Sequence, residues 1–314
     1  MALREKADNE YATGLLFVSP WIVGFLAWTL IPVLYSLYLS FCDYDGLTTP
    51  VFIGAANYVE LGKDPLFWRS LWNTFYITFL GVPITLLFSL MLAFLLNQKR
   101  RGIGVYRTLI YLPCLTPVVA MSVLWVWLFN PEVGLINHGI RGINVLLGGI
   151  SGGTVGLPLP GWFSDPWWSK PGLIVMGMWT AGSTMLIFLA ALQDVSVSLY
   201  EAAEIDGAGW LQKQFTVTLP MISPVIFFNL MMGIINGTQY FTQAYVISVS
   251  SGSRVAGGPQ DSTLFYVLYL YQSAFSNWRM GYGSALAWVL FFLTLGLSFL
   301  VFRMSARRIY YEGG

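Results

Sequence analysis

Long apolar stretches without a charged residue alternate with short polar segments along the whole chain. Six stretches reach the ~20 helical residues that cross the hydrocarbon core of a bilayer. They are Leu15–Phe41, Leu71–Leu96, Thr108–Phe129, Gly172–Gln193, Met221–Ile247 and Met280–Phe302. Because backbone groups in lipid must find hydrogen bonds within their own segment, each stretch is predicted to be a helix. The predicted fold class is therefore an all-α membrane protein with six transmembrane helices.

A seventh charge-free run, Gly142–Ser164, has the length of a span but contains GGISGG and PLPG. That density of glycine and proline disfavours a lipid-exposed helix, so we predict a non-cytoplasmic loop with a short interfacial helix near Ile140–Leu147. The first stretch is predicted to be retained, because signal-peptide apolar regions run to only about 15 residues. Kinks are predicted at the prolines inside the stretches, namely Pro32, Pro83, Pro113, Pro117 and Pro224.

Composition agrees with a lipid-embedded chain. Of 314 residues, 56% are hydrophobic and only 10% are charged, whereas soluble domains carry about 25% charged residues. The net charge of +1 gives no sign of a nucleic-acid partner. Cys42 and Cys114 lie on or beside different apolar segments, a spacing that favours neither a disulfide framework nor a metal site.

Lysine and arginine near the helix ends predict the orientation. With the N-terminus inside, ten basic residues lie in inside pieces and six in outside pieces, and Lys99-Arg100-Arg101 is the strongest inside cluster. Both termini are therefore predicted to be cytoplasmic. The predicted organisation is a tail at 1–14, a membrane domain at 15–303 with a cytoplasmic loop at 194–220, and a tail at 304–314.

The sequence shows no arrangement of residues that is typical of catalysis or of ATP binding. None of the six stretches contains a charge, which disfavours ion-coupled transport, and His138 stands in an outer loop without a carboxylate constellation. There is no GxxxxGK[ST] phosphate-binding loop, so no cofactor is expected in this chain. If ATP drives its activity, the ATPase is a separate polypeptide.

One face of the fifth stretch is polar. Asn229, Gly233, Asn236, Tyr240 and Gln243 are spaced by three or four residues and fall in one arc of a helix, with Gln239 at its flank. Amides beside an aromatic ring suit a neutral polyol in a water-filled path. Alternatively, the same side chains join neighbouring helices. The two interpretations are compatible with one face.

Two weaker polar and aromatic groups accompany this face. Trp179, Thr180 and Ser183 lie in the fourth stretch, and Tyr282, Ser284 and Trp288 lie in the sixth. Trp and Tyr near helix ends are often interface anchors, the interpretation we favour for Tyr282. The candidate path residues are Asn229, Asn236, Gln239, Tyr240, Gln243, Trp179, Ser183 and Trp288.

The polar stretch Tyr200–Pro224 is predicted to contain two short helices. Ser198 and Glu201 fit a capping box that begins a helix over Leu199–Asp206. Gly207 is placed to adopt a left-handed conformation and end that helix. A second helical piece, Trp210–Thr218, then leads to Pro220.

The first of these helices has the composition of a docking element. Ala202 and Ala203 are small and allow close approach of a partner, while Glu201, Glu204 and Asp206 make the surface acidic. An ordinary amphipathic connector at the membrane surface is the alternative, although a cytoplasmic connector would favour Lys and Arg.

These residues resemble a known family. Glu201-Ala202-Ala203, Gly207 and Val217-x-Leu219-Pro220 are similar to the EAA loop of ABC-importer permeases, with Val217 in place of the usual isoleucine. YRTLIYLPCLTPVVAMSVLWVWLFNPEVGLIN and the GGP at 257–259 resemble the branch that imports maltose, glycerol-3-phosphate and oligosaccharides. The likeness covers roughly residues 15–305 and implies the fold of a type I importer permease.

The resemblance implies an assembly in a bacterial or archaeal plasma membrane. Its expected partners are a second homologous permease, two ATP-binding subunits that hold ATP and Mg²⁺, and an extracytoplasmic sugar-binding protein. The implied function is half of a sugar translocation pathway; the alternatives are a stand-alone secondary transporter or channel and a membrane enzyme. In the family the EAA helix enters a cleft of the ATPase, so the implied coupling residues are Glu201, Ala202, Ala203, Asp206 and Gly207.

Overall fold

The computed structural model of the chain describes residues 2–98, 100–151, 156–250 and 257–305. Some predicted features lie outside them: Lys99 of the basic cluster, Arg254, part of the glycine-rich run (152–155), and the tail from residue 306 with Arg307 and Arg308. The helices, numbered along the chain, are α1 (Ala2–Phe25), α2 (Ile31–Leu39), α3 (Ala56–Lys63), α4 (Pro65–Tyr76), α5 (Val82–Leu96), α6 (Ile103–Tyr111), α7 (Val118–Leu128), α8 (Leu135–Ser151), α9 (Pro166–Trp179), α10 (Gly182–Asp194), α11 (Val197–Ile205), α12 (Trp210–Lys213), α13 (Leu219–Met221), α14 (Ser223–Thr238), α15 (Thr242–Ser250), α16 (Tyr266–Tyr271) and α17 (Met280–Ser305).

Six membrane spans can be assigned within the described residues. Three are unbroken: Thr13–Leu39, Pro65–Leu96 and Met280–Met304. Three are bent pairs of helices that pass the same test of length and composition: Ile103–Leu115 with Val118–Leu128, Pro166–Trp179 with Gly182–Asp194, and Trp210–Met221 with Ser223–Thr238. The first helix of the last pair overlaps the predicted cytoplasmic loop at 194–220, so Ser223–Thr238 is the membrane part of that pair. With each bent pair counted as one span, the predicted fold class is confirmed. The predicted N-terminal tail is helical from Ala2 and continuous with the first span.

Wide π-helical turns allow helices to continue past proline. They occupy Leu26–Leu30, Ile77–Gly81 and Gln214–Thr218, and Pro32, Pro83 and Pro220 each follow as the second residue of the next helix. Proline has no N–H, and its ring collides with the carbonyl four residues earlier, a clash that a wider turn relieves. The kinks predicted at Pro32 and Pro83 therefore take the form of π turns inside unbroken spans.

Other prolines bend the chain sharply. The third span turns by 100° where Thr116 is extended (φ −76°, ψ 130°) ahead of Pro117, as expected for a residue before proline. The fifth turns by 65° at Ile222, two residues before Pro224. The fourth bends by 52° without a proline, at a place where a Cβ on Gly182 would collide with the Ile110 backbone.

The glycine-rich run contains more helix than predicted. Helix α8 begins at Leu135 and ends at Ser151, so it includes the first four residues of GGISGG as well as the predicted Ile140–Leu147 piece. A glycine costs a helix roughly 1 kcal/mol relative to alanine, and two near one end do not outweigh the preceding turns. Composition was therefore a poor guide to where this helix ends.

The described residues divide into two compact units. One contains residues up to Asp64 together with Leu270–Val289, and the other contains Pro65–Tyr269 together with residues from Leu290. In the first, two short antiparallel strands, β1 (Cys42–Asp43) and β2 (Val51–Phe52), pair Cys42 with Phe52 and Asp43 with Val51. The buried Asn57 amide donates to the Ser40 and Cys42 carbonyls at 2.9 and 3.0 Å, which fixes α3 to β1.

The core of the second unit lies between α5 and α10. Its buried members are Ala93, Leu96, Met185, Phe188, Leu189, Leu192, Val195 and Ile222. Val195 and Ile222 stand at the two ends of the predicted loop at 194–220, so both ends of that loop are held in the same core.

Asn73 of α4 fixes a distant loop in this unit. Its buried amide donates to the carbonyls of Asp261 and Leu264, at 2.8 and 2.9 Å. Buried carbonyls left without a donor destabilise the fold, so this contact anchors the segment before α16.

We expect Asn73→Leu to lower the free energy of unfolding by about 1–3 kcal/mol, because two carbonyls lose their donor. The apparent unfolding temperature of the purified protein in detergent measures the effect. Asn97→Leu is the matched control, since Asn97 is exposed at the end of α5. Equal unfolding temperatures for the two variants would contradict the assignment.

Candidate functional site

Helix α11 carries the predicted Glu-Ala-Ala sequence, but it begins earlier than predicted. Ser196 precedes its first residue, Val197, and makes no side-chain bond to the helix backbone. Ser198, the predicted cap, lies inside the helix and its hydroxyl is 2.8 Å from that of Ser196. The capping box of Ser198 and Glu201 is therefore wrong. Ser196, two residues earlier, is the same type of capping residue, and the spacing alone could not show which of the two serines precedes the helix.

The end of α11 agrees with the sequence. Gly207 has φ +78°, the left-handed conformation that glycine adopts without steric cost. Its N–H donates to the Glu204 carbonyl at 3.0 Å, and the Ala208 N–H donates to the Ala203 carbonyl at 2.9 Å. These two bonds form a Schellman motif, which satisfies carbonyls at the helix end and reverses the chain.

Three contacts hold α11 in place. The Tyr200 hydroxyl lies 2.9 Å from the Thr218 hydroxyl, and Lys213 forms an ion pair with Glu204. Tyr200 also packs against the core together with Val217 and Leu219. The aliphatic residues Val217 and Leu219 of the EAA-like sequence thus anchor the loop to the buried core.

The opposite side of α11 is open. Glu201 and Ala202 are exposed, as are Asp206 and Gly207, and the side chain of Ile205 is 87% exposed. The exposed side of α11 therefore presents Ile205 and the small Ala202 together with the carboxylates of Glu201 and Asp206. The predicted second piece is also present, since α12, the π turn at Gln214–Thr218 and α13 run to Met221.

A cavity of about 680 Å³ lies between α5, α7, α9, α10, α14 and α15. Every side chain that lines it, among the residues that the structure describes, is uncharged. Its polar groups include the hydroxyls of Thr85, Thr180 and Thr184 and the predicted residues Ser183, Asn229, Asn236, Gln239, Tyr240 and Gln243. The cavity therefore offers hydrogen bonds and apolar surface but no counter-ion for a charged solute.

The predicted polar stripe lines the cavity, but its residues lie on two helices and the break between them, whereas one helix was expected. The fifth stretch is not one helix, because α14 ends at Thr238 and α15 begins at Thr242. Tyr240 in the break packs edge-to-face on Phe265, with 5.1 Å between ring centres. This tertiary contact overrides the helical period, so Tyr240 and Gln243 line the cavity from the break and from α15.

Not every predicted residue has the same surroundings. Asn229 is buried, and its amide donates to the Val225 carbonyl of its own helix at 2.8 Å. Trp179 does not line the cavity and stacks edge-to-face on Trp125 at 5.8 Å. Trp288 belongs to the other unit, where its indole donates to the Ser36 hydroxyl at 3.1 Å. The roles of Trp179 and Trp288 in a pathway stay predictions.

Sequence reasoning missed some of the lining residues. Thr85 and Thr184 line the cavity and stand in apolar stretches where a single hydroxyl gives little signal. The spacing of Thr180, Ser183 and Thr184 by three and four residues was the one available indication.

Glycines allow helices to approach closely beside the cavity. A Cβ on Gly233 would lie 2.5 Å from Cγ1 of Val82, and one on Gly237 would lie 3.0 Å from Oγ1 of Thr78. Small residues at such crossings are typical of membrane helix packing. Gly233, predicted from its place in the polar stripe, therefore lines the cavity and also allows the close contact between α14 and Val82.

Comparison with known proteins assigns the chain to a family. The model of the family "Binding-protein-dependent transport system inner membrane component" matches residues 65–309. The chain belongs to this family. It is thus a multi-pass permease subunit of an ABC transporter, without a catalytic centre of its own, because the ATPase of such systems is a separate subunit. Membership decides against a stand-alone secondary transporter and against a membrane enzyme.

Individual relatives cover nearly the whole permease. "Probable ABC transporter permease protein YesP" of Bacillus subtilis (strain 168) is 40% identical over 98% of this chain and 94% of its own. The "Lactose transport system permease protein LacF" of Rhizobium radiobacter is 36% identical over 94% of each chain. The resemblance drawn from the EAA-like loop is confirmed.

A solved structure supports the fold. A chain of a bacterial ABC transporter involved in the import of the acidic polysaccharide alginate aligns with a TM-score of 0.76 at 20% identity. The alignment covers 98% of this permease and 99% of that chain. The predicted architecture of a type I importer permease is confirmed.

We expect Gly233→Ala to destabilise this permease by about 1–3 kcal/mol, because the added methyl overpacks the contact with Val82. Valine is stiff in a helix and cannot turn away freely. Thermal unfolding in detergent measures the loss. Adding Val82→Ala to Gly233→Ala should restore much of the unfolding temperature, and an unchanged temperature for Gly233→Ala alone would show that no contact exists.

Proposed function

We propose that this permease forms half of the translocation pathway of an ATP-driven, binding-protein-dependent importer of a neutral sugar or oligosaccharide. The proposal rests on one observation: the exposed helix α11 and the cavity-lining helix α14 belong to one continuous segment of the chain. Residues 194–220 present the exposed side of α11, and α14, which lines the uncharged cavity, follows immediately after α13. A force applied to α11 is thereby transmitted to the helix that borders the solute.

The exposed side of α11 is the docking site for an ATP-binding subunit. Glu201, Ala202, Asp206 and Gly207 form this surface with Ile205, while Ala203 is half-buried beneath it. The polar contacts of Tyr200 and Glu204 oppose sliding of α11 against the rest of the loop. When the docked subunit moves, the loop therefore moves with it as one rigid body. The ends of the loop at Val195 and Ile222 transmit that motion to the core.

The cavity is the solute path. Asn236, Gln239 and Gln243 provide amide donors and acceptors, and Tyr240 provides a ring, a combination suited to sugar hydroxyls and to the apolar face of a sugar. The lack of charge in the lining favours a neutral solute. LacF, named for lactose transport, supports a saccharide as the class of substrate.

The complete importer consists of this chain, a second homologous permease, two subunits that bind ATP and Mg²⁺, and an extracytoplasmic sugar-binding protein. It resides in a bacterial or archaeal plasma membrane with both termini of the chain in the cytoplasm. The basic residues near the ends of the spans support this orientation. The membrane domain extends over 15–303 and the coupling loop over 194–220.

We expect Gly207→Val to separate ATP hydrolysis from sugar uptake. A β-branched residue at positive φ strains the turn by roughly 1–2 kcal/mol and displaces the docking surface. Sugar accumulated per ATP hydrolysed in proteoliposomes containing the whole complex should fall several-fold. Gly207→Asn is the matched control, because asparagine tolerates the left-handed conformation. Normal coupling in Gly207→Val would contradict the docking role.

Alanine at Asn236, Tyr240 or Gln243 is expected to raise the KM for uptake or alter the range of transported sugars, since each change removes a hydrogen-bonding or stacking group. Initial uptake rates with several neutral saccharides measure the effect, and assembly of the complex is checked by co-purification. Met231→Ala on α14 is the control, because Met231 does not line the cavity. Unchanged kinetics in all three variants would favour the alternative that these residues only join helices.

A further inference from the structure

Helix α8 is amphipathic in an unusual orientation. Its polar side chains hold it to the protein, and much of its apolar side points away from the protein. Leu135 and Leu146 are 71% and 69% exposed, and Ile143 on the same side is 46% exposed. A helix that packed against a water-soluble core would show the opposite arrangement.

The polar side is fixed by hydrogen bonds of two asparagines, of which Asn137 is buried. The Asn137 amide donates to the Pro131 and Pro160 carbonyls at 3.1 and 3.0 Å, and its oxygen accepts from the Trp162 indole at 2.7 Å. The Asn144 amide donates to the Leu157 carbonyl at 2.9 Å and its oxygen accepts from the Leu157 N–H. These bonds determine which way the helix faces.

A second set of bonds joins α8 to the turn before it. The Arg141 guanidinium donates to the carbonyls of Glu132 and Pro131, at 2.8 and 3.0 Å. The single charged side chain of α8 is therefore directed to the protein side. The outward side of the helix is left without charge.

The outward side continues the lipid-facing surface of α7. A groove of about 810 Å³ runs from α7 to the start of α8, and its lining includes Val123, Trp127, Val133 and Leu135. Trp127 is 78% exposed at the end of the span. Span ends lie at the membrane–water interface, where tryptophan anchors membrane helices. Because α7 is part of a membrane span, the surface continuous with it meets the same bilayer.

Length and composition agree with a helix on the membrane rather than through it. The 17 residues of α8 span about 25 Å and include Arg141, which argues against a further crossing. Helices with one apolar and one polar side lie at the interface with the apolar side about 5–10 Å deep.

We propose that α8 is an interfacial membrane helix whose outward side, formed by Leu135, Ile143 and Leu146, inserts between lipids of the leaflet reached by the end of α7. The groove between α7 and α8 receives acyl chains of that leaflet. The side that bears Asn137 and Asn144 faces the protein and holds the helix at this level. The occupant of the outward side is the bilayer and not a second subunit.

Spin labelling of the assembled importer in lipid nanodiscs tests the proposal. A nitroxide at Leu146→Cys should collide more with dissolved oxygen, which concentrates in lipid, than with a water-soluble nickel complex. Glu132→Cys is the matched control in the turn before α8, because Glu132 is an exposed charged residue, and its collision preference should be reversed. The unmutated complex, treated with the same reagent, measures background from buried Cys42 and half-buried Cys114.

Leu135→Cys is the second variant should Leu146→Cys fail to assemble, since both leucines point outward. Preferential collision with the nickel complex at these sites would overturn the proposal, because the helix would then stand in water. A label shielded from both reagents would also overturn it, because a protein partner would then cover the helix.

Discussion

The packing of α5 against α10 is the contact on which the rest of the molecule depends. Phe188, Leu189 and Leu192 of α10 meet Ala93 and Leu96 of α5 in a fully buried core. Because protein interiors are close-packed, a shift at one side of such a core moves the other side with it. The ends of the loop at 194–220 lie in this core, and the two helices that form it continue into the wall of the cavity. One block of packed side chains therefore holds both α11, the proposed docking surface, and the cavity, the proposed solute path.

The main features of the fold were predictable because lipid limits the choices. A chain with stretches of about 20 uncharged apolar residues has few ways other than helices to satisfy its backbone groups, so the number of spans followed from the pattern. Gly207 was predictable for a similar reason, since few residues tolerate the conformation that ends α11. In both cases a local physical constraint left little room for alternatives.

The sequence-based predictions failed where tertiary contacts, and not local sequence, determine where a helix begins, ends or faces. The helical period predicts that α14 continues through Tyr240, and the packing of Tyr240 on Phe265 ends it instead. The kinks predicted at Pro32 and Pro83 take the form of π turns, a detail that depends on the surrounding helices. The start of α11 was placed two residues late because several serines offered the same cap. Which side of α8 faces outward depends on Asn137 and Asn144, whose partners are distant carbonyls.

The absence of charge from the cavity lining has an energetic consequence. Moving one elementary charge through a membrane potential of 100 mV involves about 2.3 kcal/mol, and voltage-driven proteins use such charges to do work. Side chains such as Asn236 and Gln243 carry no net charge, so their rearrangement draws nothing from the membrane potential. Under the proposed function, the free energy for accumulating a neutral solute arrives mechanically, through the surface of α11, while the cavity itself is electrically passive.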